Sequence, residues 1–69
     1  MLGSRAGTVT AYDEAAGYGE LTEPGGDVWW FHCTAIADGS RTIAPGASVH
    51  FRLAPGHLGR YEGCDIRPA

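Results

Sequence analysis

The run Val28-Trp29-Trp30-Phe31-His32-Cys33 decides how this chain folds, together with Tyr18-Gly19-Glu20-Leu21-Thr22 and the Glu23-Pro24-Gly25-Gly26 that separates the two. Pro-Gly-Gly is a strong turn signal, so both runs read as strands, and as neighbours. Side chains alternate along a strand, which puts Trp29 and Phe31 on one face and Trp30 and His32 on the other. In the preceding strand Gly19 and Leu21 share a face, and Tyr18 and Glu20 share the opposite one. Two successive strand residues cannot both enter one core. One tryptophan must therefore face outward, and an exposed Trp beside a Tyr needs a reason.

Three further extended segments flank this pair. The first covers about Gly7–Tyr12 and is closed by Asp13-Glu14-Ala15-Ala16-Gly17. After Cys33 comes a long connection, in which Thr34–Ala37 reads as a short helical turn before Asp38-Gly39-Ser40. Ala44-Pro45-Gly46 introduces the fourth strand, Ser48–Leu53, and a turn over Ala54–Gly59 leads into the fifth, Tyr61–Arg67. No stretch keeps a 3.6-residue apolar period over three turns, so no long helix is expected. The expected core is Val9, Leu21, Trp29, Phe31, Ile36, Ile43, Val49, Phe51 and Ile66, each worth about 1.5–3 kcal/mol when fully buried. Five short strands with one apolar face and no covering helix imply an all-β fold, a small closed or nearly closed barrel.

Composition bounds the function. With 69 residues there is room for one domain, 1–69 with its core at 7–67, and 43% hydrophobic with 19% charged residues is too apolar for disorder. Eleven glycines and four prolines fit many tight turns. There is no lysine, and five arginines face eight acidic residues for a net charge of −3. Such a chain has no long-range pull toward phosphate, which excludes indiscriminate coating of nucleic acid. Cys33 and Cys64 can form one bridge at most, and free thiols in a reducing cytoplasm are the expectation. Met1-Leu2-Gly3-Ser4-Arg5 leads into no apolar run, and Val28–Phe31 is far too short to span a bilayer. A soluble, cytoplasmic domain is expected.

The order Gly7-Thr8-Val9, Tyr12, Gly17-Tyr18-Gly19 with Leu21, Trp30-Phe31-His32 and Thr34-Ala35-Ile36 resembles the cold-shock domain, and Gly46, Val49 and Phe51 fall where that family has its Gly-x-x-Val-x-Phe strand. Gly17–Leu21 and Trp29–Cys33 look like the family's two ribonucleoprotein-type motifs, in the right order and separation. The match covers about Gly7–Ile66. It implies a five-stranded antiparallel OB-fold barrel that binds single-stranded RNA or DNA by base stacking, as an RNA chaperone or a regulator of transcription or translation. The residues it assigns to that face are Tyr18, Trp30 and His32, with Tyr12 at the edge. Histidine can stack, donate a hydrogen bond or carry a charge. Arg41, Arg52 and Arg60 are the candidates for phosphate contact, Arg60 lying beside the Gly56–Gly59 loop that borders the face in the family fold.

The departures weaken that face. The family's Lys-Trp pair in the first strand is Thr10-Ala11, and its first motif has Ala16 and Glu20 in place of a lysine and an aromatic. The aromatic after the second-motif histidine is Cys33, and one common in the long loop is replaced near Arg41. Each lost stacking partner removes about 1–3 kcal/mol in a member that uses it, and Glu20 repels phosphate. Binding should be weak or short in footprint. The other reading is a protein-interaction module on the same barrel, with the Tyr18–Trp30 patch meeting a protein partner inside an acidic rim. Neither reading involves a membrane, and both are of a monomer.

No catalytic residues, metal or cofactor are expected. Cys33, Cys64, His32 and His57 match no zinc-ligand spacing, and in a strand His32 and Cys33 point to opposite faces, which also defeats a Cys-His nucleophile pair. Gly17-Tyr18-Gly19 precedes no helix and so is no dinucleotide fingerprint. On a strand, Gly19 serves close backbone packing.

Overall fold

The computed structural model describes residues 3–56 and 59–69. Its strands are β1 (Arg5–Asp13), β2 (Tyr18–Thr22), β3 (Val28–His32), β4 (Ser48–Pro55) and β5 (Tyr61–Pro68), with one 3-10 turn over Cys33–Ala35. They form one sheet in the order β3-β2-β1-β4-β5, antiparallel at every pairing. β1 serves two neighbours. Arg5–Thr8 pairs with β4 and Thr8–Asp13 with β2, and an irregularity between Val9 and Ala11 lets the strand bend from one to the other.

This coiling brings the two outer strands, β3 and β5, against each other. Gly63 of β5 is buried where they meet, and a Cβ there would lie 2.6 Å from Leu21 Cδ1 and 3.5 Å from the Trp30 carbonyl oxygen. Only glycine allows that approach. Ile36 pairs with Ile66 in a parallel bridge, and the Ala37 N–H donates to the Ile66 carbonyl at 2.9 Å. The five antiparallel strands thus make an OB-fold barrel, all-β as expected, in a sheet whose edges meet without one continuous ladder among the described residues.

The core holds Val9, Leu21, Phe31, Ile36, Val49, Phe51, Leu53 and Ile66. Two expected members are corrected, since Trp29 and Ile43 are only half-buried at its margin. Leu53 is a core residue that the sequence reading left out. It continues the inward alternation of Val49 and Phe51 along β4.

The connection after β3 also differs from expectation. The strand stops at His32, and Cys33 opens the 3-10 turn, its N–H donating to Gly17 O at 2.8 Å. The helical turn is therefore Cys33–Ala35, one residue earlier than Thr34–Ala37. Ile36 is extended beyond it, which carries its side chain into the core beside Ile66. His32 and Cys33 are consequently not strand neighbours on opposite faces. Both cysteines are free and half-buried. Of the four side chains weighed as a metal set, His57 lies outside the described residues.

Candidate nucleic-acid interface

The outer face of the β2–β3 pair carries the aromatic residues the sequence placed there. Tyr18 pairs with His32 and Glu20 with Trp30 across the two strands. The diagonal neighbours Tyr18 and Trp30 stack, with ring centroids 4.7 Å apart and planes 10° from parallel. Diagonal pairs lie within reach of large rings, and an aromatic pair adds about 0.5–1.5 kcal/mol beyond area burial. Even so, Trp30 keeps 51% of its surface exposed and Tyr18 37%. No buried apolar contact explains that exposure.

The inner face of the same two strands is closed. Gly19 stands between Tyr12 on β1 and Phe31 on β3, and a Cβ on it would meet the Phe31 ring at 2.8 Å. Tyr12 and Phe31 therefore meet over the glycine, 5.8 Å apart and 5° from parallel. The Tyr12 hydroxyl donates to the Arg41 carbonyl oxygen at 2.6 Å, and Arg41 itself sits at φ +59°. Burial pushes the Tyr12 phenol above its ordinary value, helped by nearby acidic groups. Tyr12 and Arg41 thus form a separate pair that pins the long β3–β4 connection to the barrel.

Trp29 is held by polar contacts. Its indole N–H donates to Glu23 Oε2 at 2.8 Å, and Arg5 Nε meets Glu23 Oε1 at 2.7 Å. The Arg5 guanidinium also lies 5.9 Å from the Trp29 ring centroid. The hydrogen bond from Arg5, then that from Trp29, holds the Glu23 carboxyl below its usual range. This cluster fastens the start of β1 to the β2–β3 turn.

Arg60 lines a groove with Trp30. The groove is about 680 Å³ and is also bounded by Val28, Trp29, Tyr61 and Glu62. Arg52 lies 4.0 Å from Asp65, which also binds Arg67 at 2.9 Å, on the β4–β5 pair. The structure therefore brings Tyr18, Trp30, His32 and Arg60 to one side and leaves Tyr12 with Arg41 and Arg52 with Asp65.

Tyr61 was not singled out from sequence, yet it is 45% exposed in this groove. Alternation within β5 cannot say that it lies beside Trp30, which depends on how β5 meets β3. Gly63 and Ile66 are both buried although three residues apart, which takes a change of phase at Asp65, φ +49°, where the β4–β5 register slips.

No family model matches the chain. It is 38% identical over 55 residues to the cold shock-like protein CspA of Stigmatella aurantiaca (strain DW4/3-1), covering 77% of this chain and 81% of that protein. The chain belongs to the cold-shock family. The cold shock-like protein CspD of Vibrio cholerae serotype O1 agrees, at 30% identity over 68 residues, 96% of this chain and 90% of the relative.

As a cold-shock protein it is unusual in the half of the face nearest β1. Ala11, exposed, pairs with Glu20 where the resemblance expects tryptophan and an aromatic. The Thr10 hydroxyl, at the lysine position, is 2.9 Å from that of Thr22. Among the described residues the Glu20 carboxylate has no ion-pair partner. The cold-shock face is thus split into an aromatic half on β3 and a hydroxyl and carboxylate half toward β1. No helix among the described residues is long and apolar enough to cross a membrane.

Proposed function

We propose that this chain binds single-stranded nucleic acid, RNA or DNA, by stacking bases on Trp30 and Tyr18, with His32 beside them and Arg60 toward the phosphates. The observation that supports this most is the stacked Tyr18–Trp30 pair, half-exposed on the outer face of β2 and β3 in a cold-shock barrel. A flat ring can stack on an exposed aromatic whatever its base identity, for about 1–3 kcal/mol per base. Only a short stretch of strand is engaged, since Ala11 and Glu20 offer no stacking surface. A net charge of −3 adds no general attraction, so affinity is modest and comes from the rings. Weak, short contacts of this kind suit an RNA chaperone or a regulator of transcription or translation.

Tryptophan fluorescence during titration with short single strands, at low and high salt, tests the proposal. Quenching is expected at low salt and should disappear in Trp30→Ala. With Arg60 as the phosphate contact, the logarithm of affinity should fall with log salt at a slope of about −0.7. No quenching at low salt, or quenching indifferent to Trp30→Ala, rejects the proposal and leaves the patch to a protein partner.

A further inference from the structure

The Tyr18–Trp30 stack has a consequence for where a strand can go. Tyr18, on β2, already covers one face of the Trp30 indole at 4.7 Å. β3 has β5 on its other side, and the groove there is lined by Val28, Trp30, Arg60 and Tyr61. Its volume of about 680 Å³ is in the range of small-molecule sites, about 300–1,000 Å³. Two half-exposed aromatic rings, Trp30 and Tyr61, and the exposed Val28 supply its apolar walls. A guanidinium stands at the same groove, and Arg60 is held there by the β4–β5 connection, in which the Gly56 N–H donates to the Arg60 carbonyl at 2.6 Å. Glu62 also lines the groove and lies against Gly56, so closely that a Cβ on Gly56 would collide with it. A guanidinium is suited to bidentate contact with phosphate, so Arg60 is the group in this groove that an anionic backbone would meet.

We propose that this β3–β5 groove is a second base-binding subsite, taking one base of the single strand between Trp30 and Tyr61 with its phosphate on Arg60. The proposal rests on the binding function argued above and adds the direction of the strand, from the Tyr18–Trp30 stack across β3 toward the start of β5. The occupant is a nucleotide because the groove continues the stacking surface and pairs flat aromatic walls with a cation suited to phosphate. Tyr61 is then a base contact, placed where the start of β5 meets β3.

The test measures binding of end-labelled, mixed-sequence RNA and DNA strands of about two to eight nucleotides, bracketing the small end of OB-fold site sizes. Fluorescence anisotropy is followed for the wild-type chain, Tyr61→Ala, Tyr61→Phe, Arg60→Gln and Trp30→Ala. Tyr61→Ala should weaken the longer strands by about 5- to 150-fold, one base–aromatic contact, and abolish the gain in affinity that comes with spanning both subsites. Tyr61→Phe should restore it, and binding of the shortest strands should stay at the wild-type level in Tyr61→Ala, which an unfolded variant could not show. Arg60→Gln should flatten the salt slope by about 0.7. If Tyr61→Ala binds every length like wild type while Trp30→Ala fails, the groove is not a subsite and the Tyr18–Trp30 reading stands. If the wild-type chain binds no strand of either kind, both proposals fall together.

Discussion

Trp29 and Trp30 are chain neighbours of the same chemistry with opposite fates. Trp29 turns toward the barrel margin, half-buried, with its indole N–H on Glu23 and the Arg5 guanidinium near its ring. Trp30 turns outward, half-exposed, with the Tyr18 ring stacked against it. A tryptophan has a large apolar body and one donor, and where it is buried that donor needs an acceptor. Glu23 supplies one for Trp29, and that contact ties three segments of chain together. Among the described residues the indole N–H of Trp30 makes no comparable contact. The pair separates two tasks that a single strand performs with its two faces, holding the barrel and presenting a ring.

This contrast can be broken from either side. The strongest effect is expected on the inner face, where Phe31 is fully buried with the Tyr12 ring stacked on it. Phe31→Ala should cost about 3–5 kcal/mol of stability, enough to unfold much of a domain this small, as urea titration followed by circular dichroism will show. Trp30→Ala should do the reverse. Its stability loss should stay within about 0.5–1.5 kcal/mol, the value of an aromatic stack, while single-strand binding falls by about 1–3 kcal/mol. A Trp30 variant as unstable as the Phe31 variant would mean that the outer face is structural too.

Glu20 sharpens the picture of the outer face, because it stands directly across from Trp30. Replacing it with phenylalanine adds a stacking ring and removes a carboxylate, so binding should tighten by about 1 kcal/mol or more. Weaker binding in Glu20→Phe would show that the carboxylate accepts a hydrogen bond from a base and does not act by repelling phosphate.

The smallest effect concerns the anchor of Trp29. Glu23 titrates in the folded chain below the ordinary glutamate value of about 4.5. Between the folded and unfolded values the unfolded chain binds more protons, so stability declines as the pH falls. The contribution is complete above about 4.5 and is lost as pH drops through the folded value. Thermal melts from neutral to acid pH should therefore show a shallower decline for Glu23→Gln than for wild type. Equal slopes would place the acid sensitivity elsewhere, for example at Asp38, whose carboxyl is also lowered, chiefly by the Ser40 backbone N–H.

Much of the barrel was legible because its signals are local. The Pro24-Gly25-Gly26 turn and the alternation of Val28–His32 place β2 and β3 with their faces assigned, and β2 falls on Tyr18–Thr22 as expected. Tyr18, Trp30 and His32 share the outer side for the same reason. Tyr12 shows where that legibility ends. In the linear sequence it is one more aromatic beside the motif, but Gly19 across from it leaves an opening that its ring fills over Phe31. A missing side chain on one strand decided the direction of a ring on another.

What the sequence by itself determined is therefore the five strands, the outward Trp30 and membership of a family whose motifs it carries. Each follows from period two, from turn chemistry or from residues in order, none of which needs to know what lies across the barrel. The tertiary structure alone decided how the sheet's two edges meet. Closure at Gly63 and the approach of β5 to β3 place Tyr61 and Arg60 beside Trp30, residues some thirty positions away along the chain. Local alternation carries no information about such a meeting, because it depends on how far the whole sheet coils before its edges touch.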